Sequence, residues 1–265
     1  MQHDIPSIGD DLHVTSIFGS FNGETNAQRQ GSFCVFVRLA GCSVRCPWCD
    51  TKETWKHGSG RPMNSFEVLT YIQSNYPNYH NVTITGGEPM EQFGPMFIRL
   101  VTNLIHAGFK VSIEMAGVQS FVNQVSELRE VGWDGDISFV VDFKLPSAAL
   151  GIDLTTLISN GYTTLTELDT VKFVVDDWAD LEVAHAVATL IRAHYLESMN
   201  IIHAPVIAVG STYANFTKQE FLETLLGSDG KYVEVFDVFN LQIHKEVFEN
   251  VKGVEDEQFT PDGSV

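Results

Sequence analysis

The stretch Gly41-Cys42-Ser43-Val44-Arg45-Cys46-Pro47-Trp48-Cys49-Asp50-Thr51 carries three cysteines in the spacing Cys-x3-Cys-x2-Cys, directly after the apolar run Phe33–Leu39. Three thiolates leave one iron of a four-iron, four-sulfur (4Fe–4S) cluster without a protein ligand, free to hold a substrate or cosubstrate. The apolar run is typical of a buried strand, so the cysteines lie in the loop at its carboxyl end. The stretch therefore predicts a strand followed by a cluster-binding loop, with Cys42, Cys46 and Cys49 as ligands.

Two other uses of these cysteines compete with the cluster. A structural zinc site needs a fourth ligand, which only Cys34 or a histidine such as His57 could supply. Cys34 lies within the apolar run, where a cysteine usually behaves as a small hydrophobic residue. Four cysteines in 265 residues are also too few for a disulfide-dense secreted domain. A zinc-stabilised binding module without catalytic activity is the alternative outside the enzymes.

Short β-rich runs alternate with helical patterns along most of the chain. The predicted strands are Phe33–Leu39, Val82–Thr85, Lys110–Glu114, Ile137–Phe143, Val171–Val175 and Ile201–Val206, with Tyr232–Val238 as a candidate seventh. The predicted helices are Ser65–Tyr76, Pro95–Ala107 and Asp177–Leu196, the first with a capping box formed by Asn64 and Glu67. Near-continuous apolar runs are typical of parallel strands that are covered on both faces. Six strand–helix units are fewer than the eight of a complete barrel, so the sequence predicts an α/β fold with a partial, open (β/α)6-type barrel.

Composition limits the function classes. The length suits one domain with a full core or two small domains; we place a single domain at residues 1–250, followed by an acidic flexible tail at 251–265. The 16 basic and 34 acidic residues give a net charge of −18, which disfavours binding to DNA or RNA. The first residues lack the pattern of a signal peptide, and no apolar run approaches the ~20 residues of a membrane span. We therefore expect a cytoplasmic protein without nucleic-acid or membrane partners.

A second motif, Thr85-Gly86-Gly87-Glu88-Pro89, follows the next predicted strand. Two glycines let a backbone approach a ligand closely, and a following carboxylate can accept a hydrogen bond from an ammonium group. In isolation this motif favours an ordinary strand-to-helix turn, and it indicates a ligand site only together with the cysteine loop one strand–helix unit earlier. Asp50 and Thr51 offer hard oxygen atoms that suit Mg²⁺, although composition alone favours the other role, in which they cap the next segment.

Together these motifs resemble those of radical S-adenosylmethionine (SAM) enzymes, and the chain as a whole resembles the 7-carboxy-7-deazaguanine synthases of 7-deazapurine (queuosine and archaeosine) biosynthesis. The resemblance covers residues 14–248 in an unbroken order of motifs. It rests on Ser16–Thr25, Phe36–Cys42, Cys49–Thr51 with Thr54-Trp55, Thr85–Pro89, Asp142–Ser147, Lys172–Val175 and Leu241–Lys245. The chain departs from the family pattern at Asn22 in place of Gln, Thr25 in place of Gly, and Met115-Ala116 in place of Thr-Asn.

The resemblance implies a radical SAM type of partial barrel and a role for each matched position. The N-terminal strand segment 11–32 would contribute to a pterin site made of Phe21, Asn22, Gly23, Glu24, Arg38, Thr85 and His244. SAM contacts would come from Trp48, Cys49, Asp50, Gly87, Glu88, Glu114, Phe143, Lys144 and Leu145. Cys42, Cys46 and Cys49 would hold the 4Fe–4S cluster, and Thr51 would hold Mg²⁺. A guanidinium at Arg38 also suits a carboxylated substrate on chemical grounds, because its fork pairs with a carboxylate in a bidentate manner.

The implied activity is that of a carbon–nitrogen lyase. It would convert 6-carboxy-5,6,7,8-tetrahydropterin to 7-carboxy-7-deazaguanine with loss of ammonia, using the cluster, SAM and Mg²⁺. The implied partners are a flavodoxin- or ferredoxin-type reductant and a second copy of the chain in a homodimer. A glycyl-radical-enzyme activase is the alternative within radical SAM chemistry: it shares the cysteine spacing but acts on a protein and has no need of Arg38, Glu24 and His244.

Overall fold

A computed structural model of the chain describes residues 11–132, 135–151, 153–198 and 201–241. One nine-stranded sheet forms its centre. The strands are β1 (Leu12–Phe21), β2 (Phe33–Leu39), β3 (Arg61–Met63), β4 (Asn81–Gly86), β5 (Lys110–Met115), β6 (Ile137–Phe143), β7 (Thr170–Val175), β8 (Val206–Ser211) and β9 (Val238–Phe239). The described helices are α1 (Ser65–Asn75), α2 (Pro95–His106), α3 (Val122–Arg129), α4 (Leu154–Ile158), α5 (Trp178–Glu197) and α6 (Lys218–Gly227). None of the described helices is long and apolar enough to cross a membrane.

The strands lie in the order β3-β1-β2-β4-β5-β6-β7-β8-β9, and the sheet does not close on itself. From β2 to β9 every neighbouring pair is parallel, whereas β1 is antiparallel to both β2 and β3. Consecutive parallel strands are neighbours, so the chain winds in one direction across the sheet, as it does in a barrel. The predicted partial, open barrel is confirmed.

Five of the predicted strands and all three predicted helices begin and end within one residue of the observed elements, and the predicted β2 and β6 match without a shift. The capping box at the start of α1 is present, because the Asn64 side chain accepts from the backbone of Glu67 while the Glu67 carboxylate accepts from the backbone of Asn64. The tail at 251–265 and the predicted domain boundary at residue 250 lie outside the described residues.

Two predicted strands were wrong. The run Ile201–Val206 begins with a short 3-10 helix at Ile201–His203, and the strand begins only at Val206. Pro205 explains this difference, since a residue without an N–H group cannot take part in the ladder of an interior strand. In the run Tyr232–Val238, the backbone N–H groups of Val235 and Phe236 donate to the carbonyl of Tyr232, so this part is a helical turn.

The two faces of the sheet differ in chemistry. One face buries Val37, Ile84, Ile113 and Val171 in the core that the helices cover, and each of these side chains is 0% exposed. The opposite, inner face carries polar and charged side chains at the alternate positions, including Arg38, Thr85, Glu114, Asp142 and Lys172. The expectation of apolar strands on both faces therefore holds for the outer face only, because the inner face lines a polar cavity.

The loop between β1 and β2 crosses the inner face. Asn22 accepts a hydrogen bond from the Thr83 hydroxyl (2.8 Å), and the backbone N–H of Thr25 donates to the Asn240 side chain (2.9 Å). The Gln30 amide reaches the carbonyl of Leu241 (2.5 Å). This loop thus links the β4 side of the open barrel to the end of β9, and it places residues 21–24 beside the cavity.

Candidate active site

A cavity of about 360 Å³ lies at the carboxyl ends of the parallel strands, and Cys42, Cys46 and Cys49 all line it. Cys42 and Cys46 are buried, and none of the chain's cysteines forms a disulfide. Within the described residues, no three His, Cys, Asp or Glu side chains gather around a single metal-ion position, the three cysteines included. Three thiols spread along a larger cavity suit a multi-iron cluster better than one tetrahedral zinc ion.

The fourth ligand that a zinc site would need is also missing from this loop. Cys34 is fully buried on β2 away from the cavity, and burial raises the pKa of its thiol to about 12. The His57 ring nitrogen Nε2 lies 2.5 Å from the Glu91 carboxylate, and His57 does not line the cavity that holds the cysteines. The donor set therefore fits a cluster with three cysteine ligands.

Backbone hydrogen bonds attach the glycine loop after β4 to the cysteine loop. The N–H of Gly87 donates to the Leu39 carbonyl and the N–H of Glu88 donates to the Gly41 carbonyl, both at 2.7 Å. A Cβ atom on Gly87 would lie 2.0 Å from the Gly41 carbonyl oxygen. Gly87 is required here because two backbones meet, and their contact fixes the position of the loop that carries Cys42.

Glu88 is buried behind this glycine loop and does not line the cavity. Its carboxylate accepts from the backbone N–H groups of Met90 (3.0 Å) and Ala116 (2.6 Å). Burial raises the pKa of Glu88 to about 7, although these two hydrogen bonds act in the opposite direction. In the described structure Glu88 therefore joins the ends of β4 and β5.

Arg38 places a guanidinium on the wall of the cavity. Its guanidinium lies over the rings of Phe18 (5.2 Å to the centroid) and Phe36 (5.9 Å), which hold it in place by cation–π contacts. The buried Nε atom has no hydrogen-bond partner in the described residues. A buried unpaired donor is costly, so this position is prepared for an anionic ligand.

An alternating set of charges forms the opposite wall. The ammonium of Lys172 contacts the Glu24 carboxylate and lies 2.9 Å from Asp142, whose other oxygen is 2.6 Å from Lys144. Glu114 accepts from the Thr85 hydroxyl (2.8 Å) nearby. Burial, reinforced by the charge of Glu24, raises the pKa of Glu114 to about 7.

Comparisons with known proteins find similar chains. A family model described as a 4Fe-4S single cluster domain matches residues 27–145. The 7-carboxy-7-deazaguanine synthase of Clostridium acetobutylicum is 32% identical over 248 residues, which are 91% of this chain and 98% of that protein. The corresponding synthase of Koribacter versatilis is 34% identical over 196 residues, 73% of this chain and 77% of that protein.

The chain belongs to the 7-carboxy-7-deazaguanine synthase family. The resemblance inferred from the motifs is thereby confirmed, as is the prediction of a 4Fe–4S cluster. The crystal structure of QueE from Escherichia coli superposes with a TM-score of 0.55 at 22% identity, covering 82% of this chain and 90% of that chain. That superposition shows a common fold.

Most of the site residues that the family resemblance predicts line the same cavity. The predicted residues that line the cavity are Phe21, Gly23, Glu24, Arg38, Cys42, Cys46, Trp48, Cys49, Asp50, Thr51, Thr85, Gly87, Glu114 and Lys144. The predicted contacts that do not line it are Asn22, Glu88, Phe143 and Leu145, all of which are buried. Asn22 uses its side chain on Ser32 and Thr83. His244 lies outside the described residues.

Among the cavity residues that sequence reasoning missed are Lys172 and Trp55. Lys172 lies at the centre of the charged wall, and its signal was a lone charge between Val171 and Phe173 in an apolar strand. Trp55 lines the cavity, and its indole N–H donates to the Cys49 sulfur (3.3 Å). The motif match at Trp55 gave no reason to expect this contact.

Proposed function

We propose that the chain converts 6-carboxy-5,6,7,8-tetrahydropterin to 7-carboxy-7-deazaguanine with loss of ammonia, as a radical SAM enzyme of 7-deazapurine biosynthesis. The observation that carries this proposal is the single cavity in which three cysteines, the Gly86-Gly87 loop and the Arg38 guanidinium meet. Membership of the synthase family supports the same reaction.

Cys42, Cys46 and Cys49 would hold the cluster, and Trp48, Asp50, Gly87, Glu114 and Lys144 surround the space for SAM beside it. When bound, the cluster and SAM supply one-electron chemistry that abstracts a hydrogen atom from the substrate. The protein's own part is to bind, orient and enclose the pterin.

On the substrate side, Arg38 pairs with the pterin carboxylate, because its unpartnered Nε offers the donor that a carboxylate requires. Glu24 accepts hydrogen bonds from the N–H groups of the pterin ring, and Lys172 holds the Glu24 carboxylate in place. Phe21, Phe36 and Val174 add apolar surface that excludes water from the reacting atoms.

Mg²⁺ is part of the proposal and would bind at Thr51. This threonine is buried, lines the cavity, and its hydroxyl donates to the Gly86 carbonyl at 3.3 Å. A hydroxyl oxygen at that point suits a hard cation that also binds a substrate oxygen. Product formation should therefore depend on Mg²⁺, and Thr51→Val should remove this dependence together with most of the activity.

A flavodoxin- or ferredoxin-type reductant is the proposed electron donor. Residues 41–61 hold four basic and two acidic side chains in a chain of net charge −18, and Arg45, Lys52 and Lys56 are exposed there. A positive surface beside the cluster loop complements an acidic electron carrier and accelerates its encounter. The charge-reversed double variant R45E/K52E should slow reduction of the cluster by such a carrier but not by dithionite.

We further propose that the protein is cytoplasmic, with one domain over residues 1–250, and that two copies form a homodimer. Sedimentation of the full chain tests the dimer by measuring the mass of the assembly.

The decisive assay is anaerobic incubation of the reconstituted protein with SAM, reductant, Mg²⁺ and the carboxylated pterin. We expect 7-carboxy-7-deazaguanine, and no product from a protein with an intact cluster would disprove the assignment. Cys46→Ala should lose iron and activity. Cys34→Ala is the matched control, since Cys34 lies outside the cavity, and it should retain both.

A further inference from the structure

Lys172 is a buried charge at the centre of the inner face. Its side chain is 9% exposed, and its neighbours Val171 and Phe173 point into the opposite, apolar face. On the inner face it pairs in register with Asp142 of β6. Its second carboxylate partner, Glu24, is 148 residues away in the chain and comes from the loop after β1.

The contacts of Lys172 form part of a continuous series of four side chains. Glu24 contacts Lys172, Lys172 contacts Asp142, and Asp142 contacts Lys144. Burial alone would lower the pKa of Lys172, but the charges of Asp142 and Glu24 raise it well above its usual value. Burial would raise the pKa of Asp142, but the charges of Lys144 and Lys172 lower it. Lys172 and Asp142 therefore both stay charged at neutral pH.

The two ends of this series face different ligands. Glu24 lies on the substrate side with Arg38, and Lys144 lies beside the space assigned to SAM. An isolated buried ion pair adds little to stability compared with apolar side chains of the same size. A role in packing alone therefore does not explain three consecutive ion pairs along one cavity wall.

We propose that Lys172 is a positioning residue that couples pterin binding to SAM binding; this rests on the proposed function. The ammonium is shared by Glu24 and Asp142, and Asp142 is shared by Lys172 and Lys144. A pterin that donates hydrogen bonds to Glu24 competes with Lys172 for that carboxylate. When the pterin binds Glu24, Lys172 shifts its position, and this shift passes to Asp142 and then to Lys144. Each ion pair shares one side chain with the next, so a change in one pair alters its neighbour. Thermodynamic linkage requires SAM to change the pterin affinity by the same factor by which the pterin changes the SAM affinity.

The test is equilibrium binding under anaerobic conditions to the cluster-loaded protein, without reductant so that no turnover occurs. The dissociation constant of the pterin is measured with and without saturating SAM, and that of SAM with and without the pterin. For the wild-type protein we expect both ratios to equal one factor of about 10, within the usual range of allosteric coupling. Lys172→Met should reduce the factor to below about 2, and Lys172→Arg should restore it, because the guanidinium can bridge the same two carboxylates.

Lys231→Met is the matched control, because Lys231 forms an exposed ion pair with Glu182 far along the chain from these residues. It should keep the wild-type factor. Circular dichroism and iron content check that each variant is folded and loaded. If Lys172→Met does not fold, the charge-balanced variant K172M/D142N removes the same link, and the same reduction is expected.

A folded, iron-loaded Lys172→Met protein that keeps the wild-type factor overturns the proposal, as does a wild-type protein in which SAM leaves pterin affinity unchanged. The outcome is separable from that of the proposed function. Product formation without coupling refutes the role of Lys172 alone, whereas coupling without product refutes the assigned reaction alone. A wild-type protein that does not bind the pterin refutes both.

Discussion

Gly87→Ala should displace the cluster loop even though the substitution adds a single methyl group. The new Cβ would lie 2.0 Å from the Gly41 carbonyl oxygen, whereas an ordinary contact begins at 3.4 Å. The two backbones would have to separate by about 1.4 Å. The dihedral angles are not the difficulty, because Gly87 is outside the left-handed region that Gly86 occupies at φ +119°.

This separation breaks the two backbone hydrogen bonds between the loops, from Gly87 to Leu39 and from Glu88 to Gly41. At about 1 kcal/mol each, with a further cost for residual overlap, we expect a loss of about 3 kcal/mol in the free energy of unfolding. Gly41 precedes Cys42, so the displacement reaches the first cluster ligand. A shift on the order of 1 Å should lower activity by about 100-fold.

The assay is chemical unfolding of the cluster-free protein, followed by iron analysis after reconstitution. Gly227→Ala is the matched control, since nothing beyond its chain neighbours and its own helix backbone lies within 4 Å of the new Cβ, and the residue ends α6. Its stability should be unchanged or slightly higher. If Gly87→Ala unfolds within about 0.5 kcal/mol of the wild-type protein and binds full iron, the reasoning about the backbone contact is wrong.

Three further predictions concern individual side chains. Arg38→Ala should weaken pterin binding by about 100-fold, the free energy of one charged hydrogen-bonded pair. The SAM affinity of the cluster-loaded protein should stay the same. Equal losses of affinity for both ligands would contradict this prediction. Trp55→Phe removes the hydrogen bond from the indole N–H to the Cys49 sulfur. The reduction potential of the cluster, measured by redox titration, should therefore fall by about 40 mV, which equals about 1 kcal/mol for one electron. An unchanged potential would disprove this role of Trp55. Glu88 takes up a proton on folding between its ordinary pKa of 4.5 and its raised pKa of about 7, so stability should fall by about 3 kcal/mol as pH rises through this window. Unfolding of the cluster-free protein from pH 5 to pH 8 should show a steeper fall in stability for the wild type than for Glu88→Gln, which keeps the contribution of Glu114, another carboxyl whose pKa is raised to about 7. Parallel profiles of the two proteins would refute the role of Glu88.

Local patterns were sufficient for several elements. The strand at Phe33–Leu39, the strand at Ile137–Phe143 and the capping box at Asn64 follow from neighbouring residues alone, and the structure has each where the sequence predicts it. The strand predictions for Ile201–Val206 and Tyr232–Val238 were wrong because they rested on apolar content. Apolar content does not distinguish a strand from a helical turn: the turn at Ile202 is exposed and is followed by Pro205, whereas Tyr232 in the second turn is buried.

The chemistry of the cysteine loop follows from its own residues, because three thiols at fixed spacing need no partner from elsewhere in the chain. The family follows from the order of the motifs. Which charges meet, in contrast, depends on how the strands pack. Glu24, Asp142 and Lys172 are distant in the chain and come together through strand order and register, which no local pattern records. The same holds for Gly87, whose requirement arises from a second backbone that packs against it.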